Sequence, residues 1–413
     1  MENAILVGLD QNINDNFDNS MLELANLATA CGVNVLDTLI QKRDKPTSNF
    51  YIGKGKINEL LEAITTLDAD LVIFNDELSP SHIRNIEAVI NTKVIDRTVL
   101  ILDIFARRAK TREAMLQVEL AQAKYFMPRV IGLYKYLSRQ KSGTGSKGPG
   151  EQQLELDRRI LRNKISKLKR DLNELVKVRR IQREKRKKNE VFTVALTGYT
   201  NSGKSTLMNS IIDVATAHKE GYAFQKNMLF ATLETKTKQI HLDNNHNFLI
   251  TDTVGFIDKL PHHLIEAFKS TLEEISEASL ILHVIDISNS DYENQIHTVE
   301  EVLKDIGIQG IPIIYVFNKI DQIETLPHIT KEHSITVSAL NNTNTDKLLK
   351  LIDKELYKTI KNVEMLIPFS RSDIYSNLKE NSNVLETEYL NEGIKVQVEL
   401  DEYHYNKYKN FVK

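Results

Sequence analysis

Along the first part of the chain, short apolar runs alternate with segments of helical spacing. Ala4–Leu9, Val33–Ile40, Leu71–Phe74 and Val94–Ile95 read as strands, with Met21–Ala30, Ile57–Thr66 and Ser81–Ile90 as helices between them. Strands alternating with helices predict βαβ units on a parallel sheet. The pattern then changes. Ala114, Val118, Ala121 and Tyr125 recur at spacings of 4, 3 and 4, and Pro128 should close that helix. Leu161, Ile165, Leu168, Leu172 and Leu175 repeat at 4-3-4-3, the seam of two packed helices. Between these helices, Ser142-Gly-Thr-Gly-Ser-Lys-Gly-Pro-Gly150 cannot hold regular structure and belongs at an exposed hairpin tip. From Val191 the alternation of strands and helices resumes, with six candidate strands and helices such as Asp291–Asp305 and Thr345–Ile360. Val384–Leu390 and Ile394–Leu400 flank Asn391-Glu-Gly and read as a β-hairpin.

Four segments of the second alternating region carry chemistry, each behind an apolar strand. Gly198-Tyr-Thr-Asn-Ser-Gly-Lys-Ser205 has the spacing of a phosphate-binding loop between Val191–Thr197 and a helix opening at Lys204. Its glycines let the backbone wrap an anion, and the helix N-terminus turns N–H groups toward it. Gly198, Tyr199, Thr200, Asn201, Ser202, Gly203, Lys204, Ser205 and Thr206 are the candidate contacts. Lys204 would reach the β- and γ-phosphates, and Ser205 would offer its hydroxyl to Mg²⁺. Asp252-Thr253-Val254-Gly255 follows, its carboxylate suited to the hydrated shell of Mg²⁺ and its glycine free to approach a γ-phosphate.

Asn318-Lys319-Ile320-Asp321 ends the strand Pro312–Phe317, at the edge where open α/β sheets bind ligands. A carboxylate at Asp321 accepts from the N1–H and N2–H₂ of guanine, a donor pair that adenine lacks, so discrimination can be large. Ser338-Ala339-Leu340 would support the base with backbone amides. The Mg²⁺-sensing threonine falls among Thr232, Thr235 and Thr237. Phe256 stands after Gly255, where a water-orienting group often acts; it cannot bond water, which predicts intrinsic turnover at or below about 10⁻² s⁻¹. The Asn201 carbonyl is either a turn-stabilising group or a ligand for a monovalent cation.

At 413 residues the chain exceeds what one core supports. We expect a multidomain α/β architecture. Its parts are a parallel-sheet N-terminal subdomain (1–108), a basic helical hairpin (109–188, Gly-rich tip 139–150), a P-loop domain (189–362) and a small α+β domain (363–413). Phe50-Tyr-Ile-Gly-Lys-Gly-Lys56 lacks phosphate-motif spacing and reads as a βα turn. Cys31 is the lone cysteine, excluding an internal disulfide and a cysteine-based zinc cage. No run reaches a membrane span, and Met-Glu-Asn-Ala-Ile is no signal peptide, so a cytoplasmic chain without membrane insertion is expected. The net charge of −2 conceals an asymmetry. Residues 139–188 hold 18 Lys/Arg against 6 Asp/Glu, a local +12 that leaves −14 elsewhere. Such a segment seeks a polyanion, and its glycines allow close approach to an RNA backbone.

The chain resembles the HflX family of translation-associated GTPases. The resemblance rests on Gly-Tyr-Thr-Asn-Ser-Gly-Lys-Ser (198–205), Phe-Ala-Thr-Leu (230–233), Asp-Thr-Val-Gly-Phe (252–256), Asn-Lys-Ile-Asp (318–321) and the hairpin stretch Gly-Pro-Gly-Glu-Gln-Gln-Leu-Glu-Leu-Asp-Arg-Arg (148–159). It implies GTP hydrolysis, slow alone and stimulated by ribosomes, with Mg²⁺ held by Ser205 and Thr232. It implies Lys204, Thr232, Gly255 and Asn201 as the catalytic set, Asn201 as a potassium ligand, and Phe256 as the hydrophobic replacement for a catalytic glutamine. Phe230, Ala231, Thr232, Leu233 and Glu234 join the nucleotide contacts; Glu234-Thr235 stands where the family usually has Asp-Pro, which bears on loop rigidity. The implied partners are GTP and GDP, the large ribosomal subunit and its RNA, with no DNA and a monomeric chain. The implied role is splitting or rescuing ribosomes under stress, the alternative being an RNA-remodelling or assembly factor that does not split them.

Overall fold

The computed structural model describes residues 2–11, 17–139, 149–188, 192–216, 236–242, 246–253, 255–257, 275–358, 361–400 and 402–412. Strands β1 (Asn3–Asp10), β2 (Asn34–Lys42), β3 (Leu71–Phe74) and β4 (Lys93–Asp96) form a parallel sheet in the order β2-β1-β3-β4. Helices α1 (Phe17–Ala30), α2 (Lys54–Leu67), α3 (Pro80–Ile90) and α4 (Arg97–Arg108) cover both of its faces. Ala4 and Leu6 join one core with Leu24, Leu27, Ile101 and Phe105, while Ile5 and Val7 join another with Ile57, Leu60 and Ile86. A sheet buried on both sides has no polar alternation, which is why β1 reads as a continuous apolar run.

Two long helices follow, α5 (Arg112–Arg139) and α6 (Pro149–Lys188). The predicted stop at Pro128 is incorrect: the helix runs through it, with Pro128 in its interior. A proline removes one helical bond, but the next turn is anchored from outside. The Arg129 guanidinium donates to the Tyr125 carbonyl, to the Leu78 carbonyl (both 2.9 Å) and to Asp96 Oδ2 (3.2 Å), and it stacks on the Tyr125 ring. The seam predicted on α6 packs as expected through Leu168 and Leu172, but the α5 residues that meet it are not those of the 4-3-4 stripe. Ala114, Val118, Ala121 and Tyr125 face the N-terminal core, whereas Leu116 and Leu120 pack against Leu168 and Leu172 of α6. Helix α5 thus has two apolar faces. The predicted tip lies outside the described residues from 140 to 148, and Gly150 is already helical, with Pro149 at the first position where its missing N–H is harmless.

The central sheet has the order β10-β9-β8-β5-β7-β6 among the described residues. Its strands are β5 (Phe192–Gly198), β6 (Lys236–His241), β7 (Asn247–Asp252), β8 (Leu280–Asp286), β9 (Ile313–Asn318) and β10 (Ser334–Thr336). Only β6 runs antiparallel. Helices α7 (Lys204–Ala215), α8 (Tyr292–Asp305) and α9 (Thr345–Leu356) pack on it. Parallel strands bring the loops after β5, β7 and β9 to one edge.

A third, antiparallel sheet has β11 (Lys361–Ile367), β13 (Gly393–Leu400) and β12 (Asn383–Leu390) in that order, with α10 (Ser372–Asn381) and α11 (Glu402–Tyr408). The β12–β13 hairpin matches the sequence reading, and β11 starts at Lys361, two residues before the small domain expected over 363–413. His246 ties this unit to the central one: its ring stacks on Tyr357 at 3.7 Å, bonds Asp353 at 2.7 Å and lies 3.8 Å from Glu399.

Candidate functional site

The loop from Gly198 to Lys204 follows β5 and opens α7. Gly198 has φ 144° and Gly203 φ 92°, both in the region that favours glycine. Space forbids side chains there as well. A Cβ on Gly198 would lie 2.2 Å from the Val284 carbonyl oxygen, and one on Gly203 2.2 Å from Asn318 Nδ2. The Lys204 ammonium curls back into its own loop, donating to the carbonyls of Gly198 (3.0 Å) and Tyr199 (2.8 Å). Burial pushes its pKa down to about 8, opposed by the nearby Asp252 carboxylate. Behind the loop, burial drives His283 to about 3, so this ring is neutral and adds no positive charge. The hydroxyls of Thr200 and Ser202 are buried and bond to nothing. Buried polar groups ordinarily have partners, so such hydroxyls suit a cradle for an anion.

Ser205 Oγ donates to Asp252 Oδ2 at 2.6 Å, and Asp252 is fully buried. A hydroxyl and a carboxylate converging at a helix start is an all-oxygen donor set of the kind Mg²⁺ takes, so these residues fit that ion. Thr253 locks the segment by donating to the Leu196 carbonyl at 2.6 Å. Gly255 closes over the loop: a Cβ there would meet Lys204 Nζ at 2.9 Å and Thr200 at 3.1 Å. Backbone bonds from Thr200 N to the Phe256 carbonyl (2.7 Å) and from Phe256 N to the Gly198 carbonyl (3.1 Å) stitch the two loops together. The Phe256 side chain points away from the phosphate loop into an apolar cluster with Ala195, Ile281, Val299 and Leu303.

At the base-reading end, Asn318 braces three loops. Its Nδ2 donates to the Ser202 carbonyl and its Oδ1 accepts from Ala339 N, both at 2.9 Å. Asp321 accepts a short bond from Ser338 Oγ, and Ser338 pairs with Thr343 through backbone bonds in both directions. Lys319 takes φ 69° and donates to Asp286 Oδ2 at 2.6 Å; Ile320 is half-buried and Leu340 exposed. Asn201 is exposed at φ 61° on the loop's rim, and Thr206 sits half-buried in the first turn of α7. Thus the structure gathers the segments 198–206, 252–253, 255, 318–321 and 338–340. Phe230, Ala231, Thr232, Leu233, Glu234 and Val254 lie outside the described residues.

Asp286 and Ile257 escaped the sequence reading, whereas Tyr199 stood among its candidate contacts without its burial being foreseen. Asp286 holds Lys319, and its only signal was a carboxylate closing the apolar run Leu280–Ile285. Ile257 and Tyr199 are buried in the N-terminal domain's core cluster, together with Ala114, Val118 and Ala121 of α5. Residues 256 and 257 point to opposite sides, as in a strand. The segment after Gly255 is therefore clamped between two cores.

Residues 18–106 match a family model described as the GTP-binding GTPase N-terminal region, 108–186 its middle region, and 193–319 a 50S ribosome-binding GTPase. The chain is 44% identical over 411 residues to GTPase HflX of Caldanaerobacter subterraneus, covering 100% of this chain and 94% of that one. It is 48% identical to GTPase HflX of Alkalihalophilus pseudofirmus (83% and 79% covered) and 36% identical to that of Escherichia coli (97% and 93%). A solved structure, SsGBP with GDP, is 25% identical at TM-score 0.46, covering 87% of this chain and 99% of its own. The chain belongs to the HflX family of GTPases.

Proposed function

We propose that this GTPase associates with the large ribosomal subunit through its basic hairpin and splits or rescues ribosomes, with the bound nucleotide as the switch. The observation that carries the reading is the pairing of a guanine-nucleotide site with Tyr199 and Ile257, which join that site to the root of a hairpin of local charge +12. A chain with a cationic arm rooted beside its phosphate loop has the parts for nucleotide-controlled RNA contact.

In this reading the loop amides and the hydroxyls of Thr200 and Ser202 face the phosphates. Lys204 exchanges its two carbonyl partners for phosphate oxygens. Asp321, oriented by Ser338, accepts from guanine, and Asn318 keeps the phosphate and base halves in register. Ser205 and Thr232 would hold Mg²⁺, with Asp252 behind its water shell; when bound, the ion neutralises charge on the β- and γ-phosphates. Asn201 would offer its carbonyl to potassium at the loop's rim. Phe256, turned into the core, leaves water positioning to backbone groups or to a partner, which would make turnover slow in the partner's absence.

Density-gradient sedimentation tests the role. Intact ribosomes incubated with the chain and a non-hydrolysable GTP analogue should shift into separate subunits, and GDP should leave them whole. Ribosomes that remain intact with either nucleotide while the chain sediments with them would favour an RNA-remodelling or assembly role instead.

A further inference from the structure

The third sheet has one closed edge and one open edge. Val412 bridges Met365 in antiparallel fashion and covers β11. On the other side, β12 pairs only with β13 among the described residues, which leaves a row of backbone donors and acceptors facing outward.

Acidic side chains predominate on the sheet face that runs to that open edge, although Lys395 lies on it and Lys379 lies near Tyr375. Glu386 and Glu388 stand exposed on β12, opposite Gln397 and Lys395 on the outer face of the sheet. Glu364 and Glu399 extend the same face, so it holds four carboxylates against one ammonium, and Lys395 is already paired with Glu364 at 3.3 Å. The strand also offers apolar anchors. Leu385 is 44% exposed at the register shift, and Tyr389 is 66% exposed beside Tyr375 of α10.

Charges on an edge strand ordinarily guard it against pairing. Guarding, however, is served by either sign, and by covering apolar groups rather than presenting them. An acidic edge with apolar anchors repels a phosphate backbone and attracts a strand bearing lysines and arginines. We propose that β12 is a docking edge for an extended, Lys/Arg-rich polypeptide, which adds to the third sheet as a fourth strand. The proposal rests on the ribosome reading for its natural partner, a basic segment of a large-subunit protein. The hairpin and the third sheet would then address the two chemistries of a ribonucleoprotein, the first its RNA and the second its protein.

The edge is testable without ribosomes. A fluorescent decapeptide of alternating Lys and Thr is titrated into the full-length chain at low salt. Binding should weaken roughly tenfold or more when Glu386→Lys and Glu388→Lys are combined, with GTP turnover unchanged. It should weaken similarly when alternate peptide nitrogens are methylated, because methylation keeps the charge and removes strand-forming donors. Failure of the parent peptide to bind, or equal binding of the methylated one, would overturn strand addition. In a second arm, a photoreactive benzophenone replaces the Tyr389 ring and the chain is mixed with purified large subunits. An adduct to a basic protein segment supports the proposal, and one to RNA alone overturns it. If the chain does not sediment with subunits yet binds the peptide through this edge, the ribosome reading fails and the docking edge stands.

Discussion

Lys204 carries the residue-scale argument, because its environment fixes how the site responds to pH. Burial lowers its pKa from an ordinary 10.5 to about 8, and phosphate oxygens would restore the charged form. The nucleotide-bound state therefore holds the proton more tightly than the free state. Affinity for GDP should be flat below pH 8 and fall as pH rises to 9, by up to about tenfold per unit. Fluorescence titration checks this, and Lys204→Met should bind weakly without that slope. Folding alone responds in the opposite sense. The unfolded lysine binds its proton more tightly, so its contribution to stability rises with pH between about 8 and 10.5.

Asp321 gives a second test. Asp321→Asn should exchange preference for guanosine nucleotides for xanthosine ones, and competition binding would show no exchange if this carboxylate does not read the base. Gly203→Ala should weaken GDP binding roughly tenfold or more, since the methyl must displace Asn318, which braces Ser202 and Ala339. Most of these groups were legible in the sequence because local spacing sets them: a glycine loop and a strand-end carboxylate need no tertiary information. Asp286 was not, although it too ends a strand, since its meaning lies in the neighbouring strand that brings Lys319 to it. Thr200 and Ser202 were legible as loop positions, but the burial of their hydroxyls without a partner was not.

Helix α5 shows where reading elements from sequence fails. The 4-3-4 stripe of Ala114, Val118, Ala121 and Tyr125 was legible, but its partner was not: period reports a buried face, never what covers it. Pro128 misled for a related reason, since the bonds that carry the helix past it come from Asp96 and the Leu78 carbonyl, distant in sequence. Lys361–Ile367 was missed because an edge strand with exposed Lys361, Asn362 and Glu364 has no long apolar run. Asp96 caps α4, accepts from the Tyr125 hydroxyl at 2.7 Å and pairs with Arg129, all while fully buried. Asp96→Ala should destabilise the N-terminal domain by about 3 kcal/mol, because Arg129 would keep a largely buried charge with its main partner gone. Denaturant unfolding measures it. Ile257 belongs to the same scale. In the parent chain, hydrogen exchange of α5 amides should differ between GDP and a GTP analogue, and Ile257→Ala should erase the difference while leaving nucleotide affinity within about twofold. A persisting difference would move the coupling elsewhere.

Over the whole molecule, charge and connectivity point the same way. Helices α5 and α6 grow out of the N-terminal domain, whose core takes in two residues flanking the phosphate site. No described helix is long and apolar enough to cross a membrane. The cationic segment 139–188 is offset by a −14 remainder, so the chain can present one end to a polyanion without being basic throughout. The multidomain plan was legible because hydrophobic period changes twice along the chain. The clamp between domains was not, because Tyr199 reads as a phosphate-loop contact and Ile257 as an ordinary loop residue until the fold buries them in the N-terminal core. The most direct test is co-sedimentation with purified large ribosomal subunits at rising salt, comparing a non-hydrolysable GTP analogue with GDP. Retention should be strong with the analogue, much weaker with GDP, and lost steeply as salt displaces phosphate contacts. Equal retention with both nucleotides, or retention indifferent to salt, would contradict the account.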